Sequence, residues 1–265
     1  RYHTYKLEGR NNMAFMTINY KSPTIGMNQS FTAIVPEDDS FFKQHEPVKP
    51  LKMLLLLHGL SSDATSYMRF TSIERYAEAH QLAVIMPNAD HSGYANMAFG
   101  HNYYDYILEI YNYAHQVLPV SKKREDNFIA GHSMGGYGTI KFALTQSHLF
   151  SKAAPLSAVF DVQSLLDIEW NDFDPKAIAG EALKVKGTEL DTYHLVDEAV
   201  DKGATVPELF IQCGTEDFLY DDNQRFMTYL DEKGINYKYE EGPGEHDYAF
   251  WDKAIERTIE WLVEE

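Results

Sequence analysis

The 265-residue chain contains a single cysteine, Cys213. One cysteine cannot build an intrachain disulfide framework, and the chain reads as a protein of a reducing, cytoplasmic setting. Long apolar runs are also missing: the longest is about the length of a β-strand, far below the ~20 residues of a membrane span. Basic residues are outnumbered, 23 Lys and Arg against 40 Asp and Glu, a net charge of −17. That balance excludes nucleic acid and anionic membrane as partners. There is no His-Glu-x-x-His, no Cys-x-x-Cys and no Gly-x-x-x-x-Gly-Lys-Ser/Thr. Neither a metal nor an organic cofactor is expected. No Pro/Ser-rich linker, repeat or low-complexity tract divides the chain, so one domain over residues 13–265 is expected. No signal peptide is expected, and residues 1–12, which differ in character from the rest of the chain, read as an expression leader.

What is present is a sizeable core, with 44% hydrophobic and 14% aromatic residues. Residues 14–20 and 30–35 alternate apolar and polar and read as an antiparallel pair. Strand 52–58 then precedes helix 72–80, strand 82–86 precedes helix 102–118, and strand 127–130 precedes helix 137–150. Strands 152–156, 208–213 and 237–240 complete the set. Strands alternating with helices imply a parallel sheet with right-handed crossovers, an α/β class. Helix 102–118 carries Tyr103, Ile107, Ile110, Ala114 and Val117 at helical spacing, a core-facing stripe.

Between strand 127–130 and the next helix lies Gly131-His132-Ser133-Met134-Gly135-Gly136. Gly-x-Ser-x-Gly at a strand-to-helix turn is the setting of a nucleophile elbow. A serine hydroxyl needs a base to remove its proton as it attacks, and the base needs an orienting acid. Asp217 stands just past the end of strand 208–213, with Glu216, Asp221 and Asp222 as competitors. His246 comes after the Gly/Pro loop 241–245, between the last strand and the last helix. The order Ser133, Asp217, His246 and these loop positions point to a triad. The backbone N–H of Met134, at a helix N-terminus, is a candidate oxyanion donor, helped by the helix dipole. A second candidate is the N–H of Leu60, in His58-Gly59-Leu60 after strand 52–58. His58 reads as a residue that holds this loop, and Cys213 as a small core residue. An imidazole base predicts activity that rises from mildly acid to neutral pH.

Taken together, His58-Gly59-Leu60, Gly131-His132-Ser133-Met134-Gly135-Gly136, Gly214-Thr215-Glu216-Asp217 and Gly244-Glu245-His246 resemble the esterase D / S-formylglutathione hydrolase superfamily of α/β-hydrolases. The likeness is nearest to its compact tributyrin-esterase-like (EstA-like) branch, which residues 94–104 also resemble, and spans about Met13 to the C-terminus. It implies a mostly parallel central sheet flanked by helices. It also implies a serine carboxylesterase for short acyl esters that works through an acyl-enzyme. The alternatives are an S-formylglutathione hydrolase-type thioesterase and a feruloyl or acetyl-xylan esterase. A non-catalytic binding protein on the same scaffold is the remote reading.

From residue 158 to about 200 the alternation breaks in a long, mixed-polarity insertion, expected to form a small cap beside the acyl or alcohol pocket. Its aromatic residues Trp170, Phe173 and Tyr193 are the expected substrate contacts. The expected partner is a small-molecule ester, and association into a homo-oligomer is compatible with this reading.

Overall fold

Two ten-residue strands, β1 (Asn12–Lys21) and β2 (Asn28–Glu37), pair antiparallel, and β1 forms one edge of an eight-stranded sheet. This computed structural model describes residues 12–37, 39–42, 47–166 and 174–264. The expected leader therefore falls almost wholly outside the described residues, and Trp170 and Phe173 fall outside them entirely.

Beyond the opening pair come β3 (Lys52–Leu57), α1 (Ser66–Phe70), α2 (Ile73–Ala79), β4 (Leu82–Pro87), α3 (Tyr103–Val117), β5 (Asn127–His132), α4 (Met134–Thr145) and β6 (Lys152–Leu156). Among the described residues, three helices then follow with no strand between them: α5 (Val162–Leu166), α6 (Lys176–Ala179) and α7 (Thr192–Asp201). The chain closes with β7 (Glu208–Gly214), α8 (Tyr220–Glu232), β8 (Tyr237–Gly242) and α9 (Tyr248–Val263). The sheet order is β1-β2-β4-β3-β5-β6-β7-β8. From β4 to β8 every pairing is parallel, while β2 meets both β1 and β4 antiparallel.

β3 shows why the sheet is central. Its side chains alternate between two apolar cores. Met53, Leu55 and Leu57 face the core shared with α3, α4, α7 and α8, whereas Leu54 and Leu56 face the core of α2 and α9. A strand covered on both faces loses the usual alternation and becomes a continuous apolar run. Burial of each such leucine stabilises the fold by about 1.5–3 kcal/mol.

The chain passes from β3 to β4 on one side and then to β5 on the other. The carboxyl ends of β3 and β5 thus flank a topological switch point, where the loops diverge and leave a crevice. His58-Gly59-Leu60 extends the first of these strands and Ser133 the second.

Two sequence expectations shift here. α4 begins at Met134 and not at residue 137, because tertiary packing overrides the poor helix propensity of its glycines. Val117 is 47% exposed, since the buried face of α3 runs through Tyr106, Tyr111 and His115 as well as Tyr103, Ile107, Ile110 and Ala114. α8 carries so many acidic and polar residues that only Phe226, Met227 and Leu230 mark its apolar face.

Candidate active site

Ser133 alone makes the turn between β5 and α4, at φ 55° and ψ −120°. A residue with a Cβ rarely adopts such a backbone, and it persists where the surroundings hold it. Here the Ser133 N–H donates to Leu156 O at 3.0 Å, and its carbonyl accepts the Tyr137 N–H at 3.0 Å. The same turn presses Gly135 against β3, where a Cβ would run into the Leu57 carbonyl oxygen. Only glycine permits that approach.

Opposite Ser133 stands His246. Its Nε2 lies 2.9 Å from Ser133 Oγ, and its Nδ1 lies 3.0 and 2.9 Å from the two carboxylate oxygens of Asp217. A carboxylate only accepts, so Nδ1 carries the hydrogen and Nε2 is left to accept the serine O–H. The Asp217 side chain is wholly buried, and its Oδ1 also accepts the Leu219 N–H at 2.8 Å. Directly after His246, Asp247 caps α9 by accepting the Ala249 and Phe250 N–H groups, which fixes where the helix starts. The Phe218 ring leans over the imidazole at 4.5 Å, and the Trp251 ring meets it edge-on at 4.9 Å.

The competing carboxylates do other things. Glu216 accepts the Gly244 N–H at 2.6 Å while its own N–H donates to Gly244 O, so it ties the histidine loop to the aspartate loop. That backbone bond holds its carboxyl below the usual range. Asp221 is exposed on α8. Asp222 is buried and accepts the N–H groups of Phe160 and Asp161 at 2.7 and 3.0 Å, and burial raises its carboxyl. It thereby anchors the start of the segment that carries α5, α6 and α7.

Leu60 and Met134 both line the chamber that contains Ser133. Among the described residues, neither backbone N–H donates to another protein group. For Met134 this is the ordinary condition of a first helical residue. The Leu60 N–H shares a planar peptide with Gly59 O. That oxygen accepts from His58 Nδ1 at 2.7 Å, while His58 Nε2 accepts the Ala89 N–H at 2.9 Å. His58 is buried, which lowers its tendency to protonate, and holds the loop.

The chamber measures about 650 Å³ including its mouth. Apart from Ser133 its wall is apolar: Tyr137 and Met134 from α4, Val162, Leu165 and Leu166 around α5, Ile178 from α6, with Val159, Leu190 and Phe218. Tyr137 Oη is used up, donating to Leu190 O at 3.1 Å. Tyr193 is not in this wall. It packs between α7 and α8, its ring 5.4 Å from Phe226 and 4.9 Å from Tyr229. The first turn of α7 directs it toward α8, a phase the sequence alone did not define.

Several lining residues were not singled out from the sequence. Tyr137 had a signal, since it stands one helical turn after Ser133 and so shares its side of α4. Phe218 had one as well, as an aromatic residue next to the acid. Ile178 and Leu190 had none, because their approach depends on how the helices after β6 pack.

Residues 38–262 match the Esterase family, described as "Putative esterase". An acetyl esterase of Caldicellulosiruptor saccharolyticus is 29% identical over 263 residues, covering 94% of this chain and 98% of the relative. Among solved structures, the fluorophosphonate-binding serine hydrolase F of Staphylococcus aureus, substrate bound, is 63% identical at a TM-score of 0.94, covering 97% of this chain and 100% of that one. The S-formylglutathione hydrolase FrmB of the same organism is 64% identical at a TM-score of 0.90, covering 96% and 100%.

Proposed function

The chain belongs to the Esterase family and is a carboxylic ester hydrolase, and from that premise we propose that it cleaves short-chain acyl esters with Ser133 as nucleophile. The observation that carries this reading is His246, with Nε2 2.9 Å from Ser133 Oγ and Nδ1 on the buried Asp217 carboxylate. Ser133 Oγ attacks the ester carbonyl while His246 Nε2 takes its proton. The oxyanion is held by the N–H groups of Leu60 and Met134. The tetrahedral intermediate collapses, the alkoxide leaves with the proton from His246, and the acyl group remains on Ser133. Water then attacks the acyl-enzyme while giving a proton to the same imidazole, and the acid leaves as the bond to Ser133 Oγ breaks and that proton returns to Oγ. Asp217 keeps the imidazole in the Nδ1–H tautomer and stabilises the imidazolium.

The acyl group enters the apolar chamber, and residues 158–200 act as its cap. Support comes from Val159, Val162, Leu165, Leu166, Ile178 and Leu190, all within that segment and all in the chamber wall. The whole of 13–265 is one domain in this reading. A reducing, cytoplasmic setting suits it, since the lone Cys213 is buried.

A second reading, thioester hydrolysis, is favoured by the relative named S-formylglutathione hydrolase. The chamber wall is apolar apart from Ser133, which favours an alkyl acyl group over formyl. Hydrolysis of p-nitrophenyl acetate and butyrate by the native chain and by Ser133→Ala tests the nucleophile. Turnover lost in the variant, with circular dichroism unchanged, is the expected result, and equal turnover in both overturns it. Turnover of S-formylglutathione beside butyrate esters separates the two leaving groups.

A further inference from the structure

His132 precedes the nucleophile and is fully buried, and both of its ring nitrogens are engaged. The Gly59 N–H donates to Nε2 at 3.2 Å, and Nδ1 lies 2.9 Å from Tyr67 Oη. An N–H only donates, so Nε2 is unprotonated and Nδ1 carries the hydrogen that Tyr67 receives. Burial holds the ring neutral. Trp251 covers its face at 4.1 Å, and the rings of Tyr67 and Tyr248 meet it edge-on, each at 5.1 Å. Three aromatic rings pack against it, and Nε2 accepts its bond from another loop.

That bond goes to Gly59, where a Cβ would come within 2.6 Å of Nε2. Gly59 is thus held at both ends, its N–H by His132 and its carbonyl by His58. The next N–H along the chain is that of Leu60. Resting on the proposed roles of Ser133 and Leu60, we propose that His132 is a positioning residue. Its Nε2 holds the Gly59 amide so that the Leu60 N–H faces the oxyanion formed at Ser133. One residue thereby sets the distance between the nucleophile's own turn and the opposite oxyanion donor.

The test compares the native chain with His132→Leu, His132→Gln, Tyr67→Phe and Ser133→Ala on p-nitrophenyl butyrate. Inhibition by a trifluoromethyl ketone is read in parallel, since its serine adduct carries the tetrahedral oxyanion. Leucine removes the acceptor, whereas the glutamine carbonyl can reach the place of Nε2. For His132→Leu, kcat should fall about 10- to 100-fold with KM within about two-fold, a partial loss of one oxyanion donor. Affinity for the ketone should weaken by the same factor as kcat/KM. His132→Gln should return to within about three-fold of native.

Native kcat in His132→Leu overturns the proposal, as does a kcat loss without matching loss of ketone affinity, or glutamine no better than leucine. Should His132→Leu fail to fold, Tyr67→Phe decides, because it removes the hydroxyl that accepts the Nδ1 hydrogen and holds the ring in place. A matched loss of about three- to ten-fold supports the proposal, and native kcat overturns it. Ser133→Ala keeps the two questions apart. If that variant still turns over, the underlying reading fails; if it is inert while the His132 variants match native, only the role of His132 fails.

Discussion

His246 Nδ1 sits 3.0 and 2.9 Å from the two carboxylate oxygens of Asp217, and the carboxylate is wholly buried. Its Oδ1 is further pinned by the Leu219 N–H. The imidazole therefore has one orientation and one tautomer available. Asp217→Asn keeps the shape but offers a donor where the ring also donates, so the ring turns to the wrong tautomer. We expect kcat for p-nitrophenyl butyrate to fall about 10⁴-fold, with KM changed little. Steady-state kinetics of the variant check this, and a loss under ten-fold would contradict the arrangement.

The chamber wall sets a second expectation. Ile178 lines the chamber from α6, as Val162, Leu165 and Leu166 do from α5. A tryptophan in its place fills volume that a longer acyl chain would use. With Ile178→Trp, kcat/KM for octanoate esters should drop more than about ten-fold relative to acetate esters, since each lost methylene contact is worth about 1–3 kcal/mol. A chain-length series of p-nitrophenyl esters reads this out, and an unchanged series would place the acyl group elsewhere.

Acid stability depends on two of the buried histidines, His58 and His132. Burial holds both His58 and His132 below the ordinary imidazole range. Below pH about 6.5 the unfolded chain takes up two protons that the folded chain refuses, so stability falls as pH falls. The slope from this pair steepens as pH falls below that range while both rings stay neutral in the folded chain, and it vanishes well above it. Urea unfolding of native and His132→Gln should show the native chain losing about 1 kcal/mol more than the variant between pH 7.5 and 5.5.

Lys141 titrates in the opposite part of the range. It is 2% exposed on α4, its Nζ 5.3 and 5.7 Å from the ring centroids of Tyr104 and Tyr137, and burial lowers it to about 8. Folding expels its proton between pH 8 and the unfolded value of 10.5, so stability rises with pH across that window. From pH 7.5 to 9.5 the native chain should gain about 2 kcal/mol relative to Lys141→Met in denaturant titrations. Parallel curves for the two proteins would contradict it.

The parts of the molecule legible in the sequence are those governed by local rules. The run at 53–57 is continuous because both faces of β3 are covered, and Ser133 is marked by the glycines its turn demands. Asp217 and His246 stand at strand ends, and the structure brings their side chains together with that of Ser133. Legibility ends where long-range packing decides. Asp222 read only as a rival acid, since its partners Phe160 and Asp161 are some sixty residues away, and Tyr193 read as a pocket residue although it serves the seam between α7 and α8.

The bond from Asp222 to the Phe160 and Asp161 amides has a wider consequence. The roof over the chamber is fastened to α8 by a carboxylate that touches neither Ser133, His246 nor Asp217. If the proposed function holds, replacement of roof residues away from Ser133 would alter which acyl groups are admitted while His246 and Asp217 keep their bonds. In the proposed function, the part that chooses meets the part that cuts at the Val159 N–H to Ser133 O bond of 3.5 Å, and changes farther along the roof leave the triad's own bonds in place.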